Sequence, residues 1–250
     1  MMIIGDIGNT ETKICLVNSK NNIIKRVNLN TKKMNIISLK ESISKLILKN
    51  EHVKKCLFCS VVPKAFSVVR SFFENKYKLK CHELKKLNLK SLIKINVKYD
   101  QIGSDRLANA IGVVNSKDNF IILDFGTATT FDVLIKNTYI GGIIAPGVKL
   151  SLNTLSNKAT LIPNINLKKT RKVISSNTID AVRSGFFWGY IGLIDNIVNL
   201  IKKETKKSFK IIITGGFSSL FKKSINTKVT LNKDITVNGL IKASTLIKNI

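Results

Sequence analysis

Apolar positions in this chain come either in short runs that stop at a glycine or in stripes three and four residues apart. The two spacings predict different elements, strands and turns for the first and helices for the second. Phe120-Ile-Ile-Leu123 runs into Asp124, then Gly126, then Thr127, Thr129 and Thr130, after which Phe131, Val133 and Leu134 resume the apolar character. That order predicts a buried strand, a tight turn carrying one carboxylate, and a second strand. The chain opens the same way, with Ile3-Ile4-Gly5-Asp6-Ile7-Gly8-Asn9-Thr10 and then Ile14 to Val17. Asp6 corresponds to Asp124 and Gly8 to Gly126, just under half the chain apart. A repeat of that length predicts two similar halves, each opening on a hairpin with an Asp-x-Gly turn.

Between the hairpins the pattern continues in order. Residues 1–30 predict three strands, the second and third joined by Asn18-Ser19-Lys20-Asn21-Asn22. Leu39, Ile43, Leu46 and Ile47 predict a helix over 39–50, Cys56–Val62 a strand stopped by Pro63, and Ala65–Asn75 a helix. Lysine-rich 76–99 reads as short strands and loops. Ser104 is placed to cap a helix whose buried stripe is Leu107, Ile111 and Val114, ending near Asn115. A domain boundary at about residue 117 gives an N-terminal domain, 1–117, and a C-terminal domain, 118–250, each holding one of the two turns.

Past the second hairpin, Tyr139-Ile-Gly-Gly-Ile-Ile-Ala-Pro-Gly147 reads as a rigid loop suited to lining a pocket. A helix through Leu150, Thr154, Leu155 and Ala159 follows it. Residues 178–204 predict a long helix with Gly185, Gly189 and Gly192 near one face, where another backbone can come close. Its Phe186, Phe187, Trp188 and Tyr190 exceed what one helix face buries and suggest a subunit contact. Lys210–Ile213 predicts a strand leading into Thr214-Gly215-Gly216 and a helix from Ser218, and Asp234–Leu246 a closing helix.

Composition changes the picture little. The 250 residues, 44% hydrophobic, suffice for one large or two medium domains. No apolar stretch reaches transmembrane length and no basic-then-apolar leader precedes the first strand, so a cytoplasmic protein without a membrane partner is expected. Lys and Arg number 42 against 15 Asp and Glu, a net charge of +27. The lysines are scattered, and the joint richness in Ile, Asn and Lys points to a compositional bias of the source genome rather than to a nucleic-acid partner. The charge should still attract ATP and acidic small molecules. Cys56 and Cys59 form a Cys-x-x-Cys, but on a strand they point to opposite faces and no second pair completes a metal site. With Cys15 and Cys81 they read as buried reduced thiols, and His52 and His82 as surface residues.

The repeated turns carry the candidate chemistry. Gly8 and Gly126 permit close approach to a ligand and positive φ, Asn9, Thr10, Thr127, Thr129 and Thr130 add neutral donors, and Asp6 and Asp124 can hold a cation. Two such turns facing one another across a cleft would grip the phosphates of a nucleotide and its metal. Ordinary hairpins use the same residues, and it is the repeat that favours phosphate binding. No Gly-x-x-x-x-Gly-Lys-Ser/Thr loop, Gly-x-Ser-x-Gly elbow or His-rich constellation occurs.

Taken in order, Asp6-Ile-Gly-Asn-Thr10, Ser60-Val-Val-Pro63, Gly103-Ser-Asp-Arg106, Asp124-Phe-Gly-Thr-Ala-Thr-Thr130, Gly141-Gly-Ile-Ile-Ala-Pro-Gly147, Asn177-Thr178, Ser184-Gly185, Thr214-Gly-Gly216 and Asn238-Gly239-Leu240 resemble the type III pantothenate kinases over essentially the whole chain. The resemblance implies an α/β fold of two ribonuclease-H-like domains, that of the actin-like ATPase superfamily with its acetate and sugar kinases and heat-shock ATPases. It implies phosphorylation of pantothenate at its 4′-hydroxyl by ATP, the first step of coenzyme A synthesis, in a homodimer that uses Mg²⁺ and a monovalent cation, potassium or ammonium. By the same resemblance Asp6, Gly8, Asn9, Thr10 and Lys13 form the first phosphate turn, with Asp6 holding Mg²⁺ through water. Thr127 belongs to the second turn, Asp124 is the monovalent-cation ligand, and Asp105 is the catalytic base. Gly103, Ser104, Asp105, Arg106 and Thr178 contact pantothenate, together with Tyr99, which stands only four positions before Gly103 where the family has a longer loop. A helix start at Asp105 would hold its pKa low, which phosphoryl transfer tolerates because it mainly needs a positioned nucleophile. The rival readings are a sugar or acyl-phosphate kinase and an accessory transcription factor.

Overall fold

The computed structural model describes residues 1–47 and 52–247. They fall into two compact units, one of Met1–Val114, Asn137–Tyr139 and the residues from Asp234 onward, the other of Asn115–Lys136 and Ile140–Lys233.

The first unit opens on β1 (Met2–Ile7), β2 (Glu11–Val17) and β3 (Ile23–Asn30). The β2–β3 turn closes because the Asn18 side chain accepts from the backbone N–H of Lys20 and Asn22, while Asn21 takes a left-handed φ of 65°. Next come α1 (Ile36–Leu46), β4 (Lys55–Ser60) and α2 (Pro63–Tyr77). Asn35 and Ser38 form a reciprocal capping box that starts α1 three residues before its apolar stripe. Positions 48–50 of the predicted helix lie outside the described residues. Pro63 is the first residue of α2, where its missing N–H costs nothing, so the helix begins at the proline itself rather than at Ala65. The unit continues with β5 (Cys81–Glu83), β6 (Lys94–Ile95) and α3 (Ser104–Val113).

Its sheet runs β3-β2-β1-β4-β5, with β1 antiparallel to β2 and parallel to β4, and β4 parallel to β5. Ile3, Ile7, Ile14 and Leu16 from the strands meet Leu39 and Ile43 of α1 and Val69 and Phe73 of α2 in one core.

The second unit holds β7 (Phe120–Phe125), β8 (Ala128–Ile135), β9 (Thr138–Pro146), α4 (Val148–Lys158), α5 (Thr178–Thr205), β10 (Lys210–Gly215), α6 (Ser218–Phe221) and β11 (Val229–Leu231). The first two residues of β9 lie in the first unit and pair with β6. The closing α7 (Ile235–Ala243), followed by a 3₁₀ turn at Ser244–Leu246, also belongs to the first unit.

The second sheet runs β6-β9-β8-β7-β10-β11, with β7 antiparallel to β8 and parallel to β10, β10 parallel to β11, and β6 parallel to β9. Its five strands β9-β8-β7-β10-β11 repeat the order of the first sheet, with β6 added at the edge, so the repeated Asp-x-Gly hairpin heads a repeated topology. One expectation is corrected: Tyr139–Pro146 is strand, not loop. Pairing beside β8 compensates the poor strand propensity of Gly141 and Gly142, and Gly141 takes a φ of 136° within the run.

Candidate active site

In the first unit the site begins with the carboxylate that ends β1. Register places Asp6 directly opposite Lys13 on β2 and beside Cys59 on β4, so a cation and a thiol flank it across the sheet. The Cys59 Sγ donates to Asp6 Oδ1 at 3.3 Å. Beyond Asp6 the chain turns tightly, the Gly8 N–H donating to the Glu11 carbonyl at 3.0 Å, and Asn9 and Thr10 stand exposed at the tip. A Cβ at Gly8 would lie 3.2 Å from the Glu11 oxygen. Closeness is therefore the reason for this glycine; neither Gly8 nor Gly126 takes the positive φ expected from the sequence.

Cys59 is fully buried, and burial pushes its thiol well above the ordinary range, with the charges of Asp6, Asp105 and Glu83 adding to the shift. Of these carboxylates, Asp6 touches the thiol directly. All four cysteines are buried and unbonded, as expected, with Cys56 and Cys81 in sulfur contact at 3.5 Å.

The head of α3 differs from expectation in two respects. Gly103 is the cap position and Ser104 the first helical residue; the Ser104 hydroxyl does not cap the helix but donates to Glu83 Oε1 at 2.5 Å. Asp105 is pushed above the usual carboxylate range, because burial outweighs the Arg106 amide, donating to its Oδ1 at 2.8 Å, and the Arg106 charge. The expected lowering by the helix start is overridden by desolvation. A side chain at Gly103 would overlap the Asp105 carboxylate, so glycine is what leaves room for it.

Tyr99 is placed by Lys85. Its hydroxyl donates to the Lys85 carbonyl at 2.9 Å, and the Lys85 ammonium lies 5.3 Å over its ring. The same ammonium donates to the carbonyls of Asp100 at 3.1 Å and Ile102 at 2.9 Å. Tyr99 also lines a cavity of about 650 Å³ with Leu87, Leu89, Ile93 and Ile95.

The second unit builds a related arrangement with threonines as the register neighbours of its carboxylate. Asp124 ends β7, opposite Thr130 on β8 and beside Thr214 on β10, the positions held by Lys13 and Cys59 in the first repeat. Gly215, at φ +84°, brings its backbone so close that a Cβ would sit 2.5 Å from Asp124 Oδ1. A Cβ at Gly147 would overlap the Thr127 carbonyl, which packs the end of β9 against the exposed Gly126-Thr127 turn.

Thr178 is exposed at the first position of α5, after Asn177, whose side chain accepts from the Asp180 N–H at 2.9 Å. The aromatics of α5 divide between the core and the surface. Phe187 and Tyr190 are buried and stack on Phe221, Phe186 stacks on Tyr190, and Trp188 meets Phe187 edge-on. Phe187 and Tyr190 pack inside their own unit, while Phe186 and Trp188 are half-buried against the same core. Gly185, Gly189 and Gly192 are exposed on the helix, with no atom beyond the helix's own backbone and their chain neighbours within 4 Å of where a Cβ would stand.

Cys59, Glu83 and Lys85 escaped the sequence reading. Cys59 meets Asp6 only through the β1–β4 register, which no local pattern encodes. Glu83 did leave a signal, as the one acidic residue between Lys76 and Tyr99. Among the described residues no cluster of three His, Cys, Asp or Glu side chains forms a metal cage, and no helix is long and apolar enough to cross a membrane.

The type III pantothenate kinase family matches residues 2–200. A type III pantothenate kinase of Pelagibacter ubique strain HTCC1062 is 76% identical over 248 residues, 99% of this chain and 100% of that protein. Among solved structures, a Campylobacter jejuni protein described as belonging to the Baf family of transcriptional activators is 20% identical with a TM-score of 0.58, covering 98% of each chain. An inorganic polyphosphate/ATP-glucomannokinase of Arthrobacter sp. strain KM is 12% identical with a TM-score of 0.50, covering 98% of this chain and 96% of that one. At such identities the structural likeness speaks for the fold alone, the ribonuclease-H-like two-domain fold of sugar kinases and actin-like ATPases.

Proposed function

The chain belongs to the type III pantothenate kinase family, and from that premise we propose how its residues divide the work. The reaction is the ATP-dependent phosphorylation of pantothenate at its 4′-hydroxyl, in coenzyme A biosynthesis, and the full-length match carries it. Asp105 accepts the proton of the attacking hydroxyl as its oxygen bonds to the γ-phosphorus and the bond to ADP breaks. Little else is required of the base, because phosphoryl transfer is chiefly positioning and charge stabilisation. Gly103, Arg106, Tyr99 and Thr178 hold the acceptor, Arg106 supplying the fixed positive charge that suits an acidic substrate, while Ser104, whose hydroxyl donates to Glu83, supports them.

Gly8, Asn9, Thr10 and Lys13 of the first turn and Thr127 of the second bind ATP phosphates. Asp6 fits Mg²⁺, since it is a hard oxygen donor held in place by the Cys59 thiol, and this ion ordinarily takes one or two carboxylates with water and phosphate oxygens rather than a protein cage. Bound there, Mg²⁺ would neutralise charge developing on the phosphates.

Asp124 fits a monovalent cation. Its register neighbours are two threonines where Asp6 has a lysine, so the hard oxygens at this position favour a cation brought from solution. Potassium or ammonium is expected to activate the enzyme relative to sodium, and Asp124→Ala to lose that difference. One assay checks both the reaction and the ion: ATP consumption with and without pantothenate, in potassium and in sodium buffer. Pantothenate-independent consumption counts against the reaction; equal wild-type rates in the two buffers count against the ion. We also propose a homodimer, supported by the uncovered glycine face of α5; monomer mass by light scattering at full activity would remove it. No nucleic-acid partner is proposed, the lysines being scattered along the whole chain.

A further inference from the structure

Ser104 is 1% exposed, so its hydroxyl requires an internal partner, and Glu83 Oε1 provides it. The other oxygen, Oε2, accepts the Lys85 backbone N–H at 2.7 Å. Lys85 in turn holds Tyr99 through its carbonyl, and Asp100 and Ile102 through its ammonium. One carboxylate therefore ties Ser104 directly and the Tyr99–Ile102 stretch through a single residue. Glu83 is itself fixed, because it ends β5 and pairs in register with Phe58 of β4, the neighbour of Cys59.

We propose that Glu83 is a positioning residue for the acceptor: its two oxygens clamp both ends of the Tyr99–Arg106 segment onto the sheet, setting where Tyr99 and Asp105 stand. This rests on the assignment of that segment to pantothenate. It also gives Ser104 a different part from the one the resemblance implied, since its hydroxyl hydrogen is donated to Glu83. Both bonds involve a charged acceptor and are of the stronger class.

The test is steady-state kinetics with each substrate varied in turn, on the full chain. Glu83→Ala is expected to raise the pantothenate KM about tenfold or more and to lower kcat, with the ATP KM within about twofold of wild type. Glu83→Gln keeps an oxygen for the Lys85 N–H but can meet Ser104 only by reversing that bond and without the charge, and is expected to fall between. Ser104→Ala combined with Glu83→Ala should be no worse than Glu83→Ala alone, because the two share one bond.

A pantothenate KM unchanged in Glu83→Ala, or both KM values raised together with a lowered Tm, overturns the proposal. Should Glu83→Ala fail to fold, Glu83→Gln and Lys85→Met carry the test: a rise confined to the pantothenate KM sustains it and an unchanged pair of KM values overturns it. Asp105→Asn separates the two levels. If it turns over normally, the acceptor assignment itself is wrong; if it is inactive while Glu83→Ala keeps both KM values, only the clamp is wrong.

Discussion

Asp105→Asn is expected to lower kcat by about 10²–10⁴-fold, the usual worth of one positioned acid or base. Shape should survive the change, because the Asn side-chain oxygen can still accept from the Arg106 N–H that now meets Oδ1. The electrostatics sharpen the expectation. Burial raises the pKa of Asp105 above that of an ordinary carboxylate, and only the ionised form accepts a proton. The acid limb of the rate profile should therefore lie above the ordinary carboxylate range, with activity falling as pH falls through the raised pKa.

The sign for stability is the reverse. With its folded pKa above the unfolded one, Asp105 favours the folded state fully at low pH, and that contribution is lost as pH rises through the folded value. At neutral pH the charge is buried at a cost that Asn does not carry. Asp105→Asn should then be at least as heat-stable as wild type at pH 7, with the advantage shrinking towards pH 4. Activity and stability moving in opposite directions is the mark of a functional charge held in an unfavourable place. Near-wild-type kcat would remove the base role, and a lower Tm at pH 7 would contradict the effect assigned to burial.

The sequence disclosed what its local patterns encode. An apolar run ending in Asp-x-Gly marked β1–β2 and β7–β8, and their repetition anticipated two sheets with one strand order. The ordered motifs put Asp6, Asp105 and Asp124 forward as site candidates. What stayed hidden depends on pairing between distant segments. Cys59 reaches Asp6 and Glu83 reaches Ser104 across 53 and 21 residues of sequence respectively.

Local rules failed where tertiary context outweighed them. Helix-start electrostatics predicted a lowered Asp105, and desolvation won. Adjacent glycines suggested a loop at 141–142, and pairing beside β8 won. Two of the α5 aromatics looked free for another face because Phe221, on which Phe187 and Tyr190 stack, could not be foreseen there.

Gly239→Ala is expected to damage the enzyme from outside the site. In the first unit α7 crosses α3 at backbone distance: a Cβ at Gly239 would overlap the Ala108 carbonyl, and one at Gly112 would stand 2.5 Å from the Ile235 carbonyl. Thr236 Oγ1 donates to the buried Asn109 Oδ1 at 2.7 Å, and the Lys242 ammonium to the Gly112 carbonyl at 3.1 Å, so neither helix can withdraw without breaking polar contacts. An added methyl facing a backbone oxygen cannot be relieved by a side-chain rotation. The helices must part, which in a packed interior costs about 1–3 kcal/mol. For a chain of this size that is a fall in Tm on the order of 2–10 °C. Ala108 lies one turn beyond Asp105 on the same helix, so displacing α3 displaces the carboxylate, and kcat should fall in the same variant. Thermal unfolding and kcat measured together check the argument. A Gly239→Ala enzyme with wild-type Tm would show that the two helices yield freely. One with a lowered Tm but full kcat would show that α3 moves without carrying Asp105 out of place.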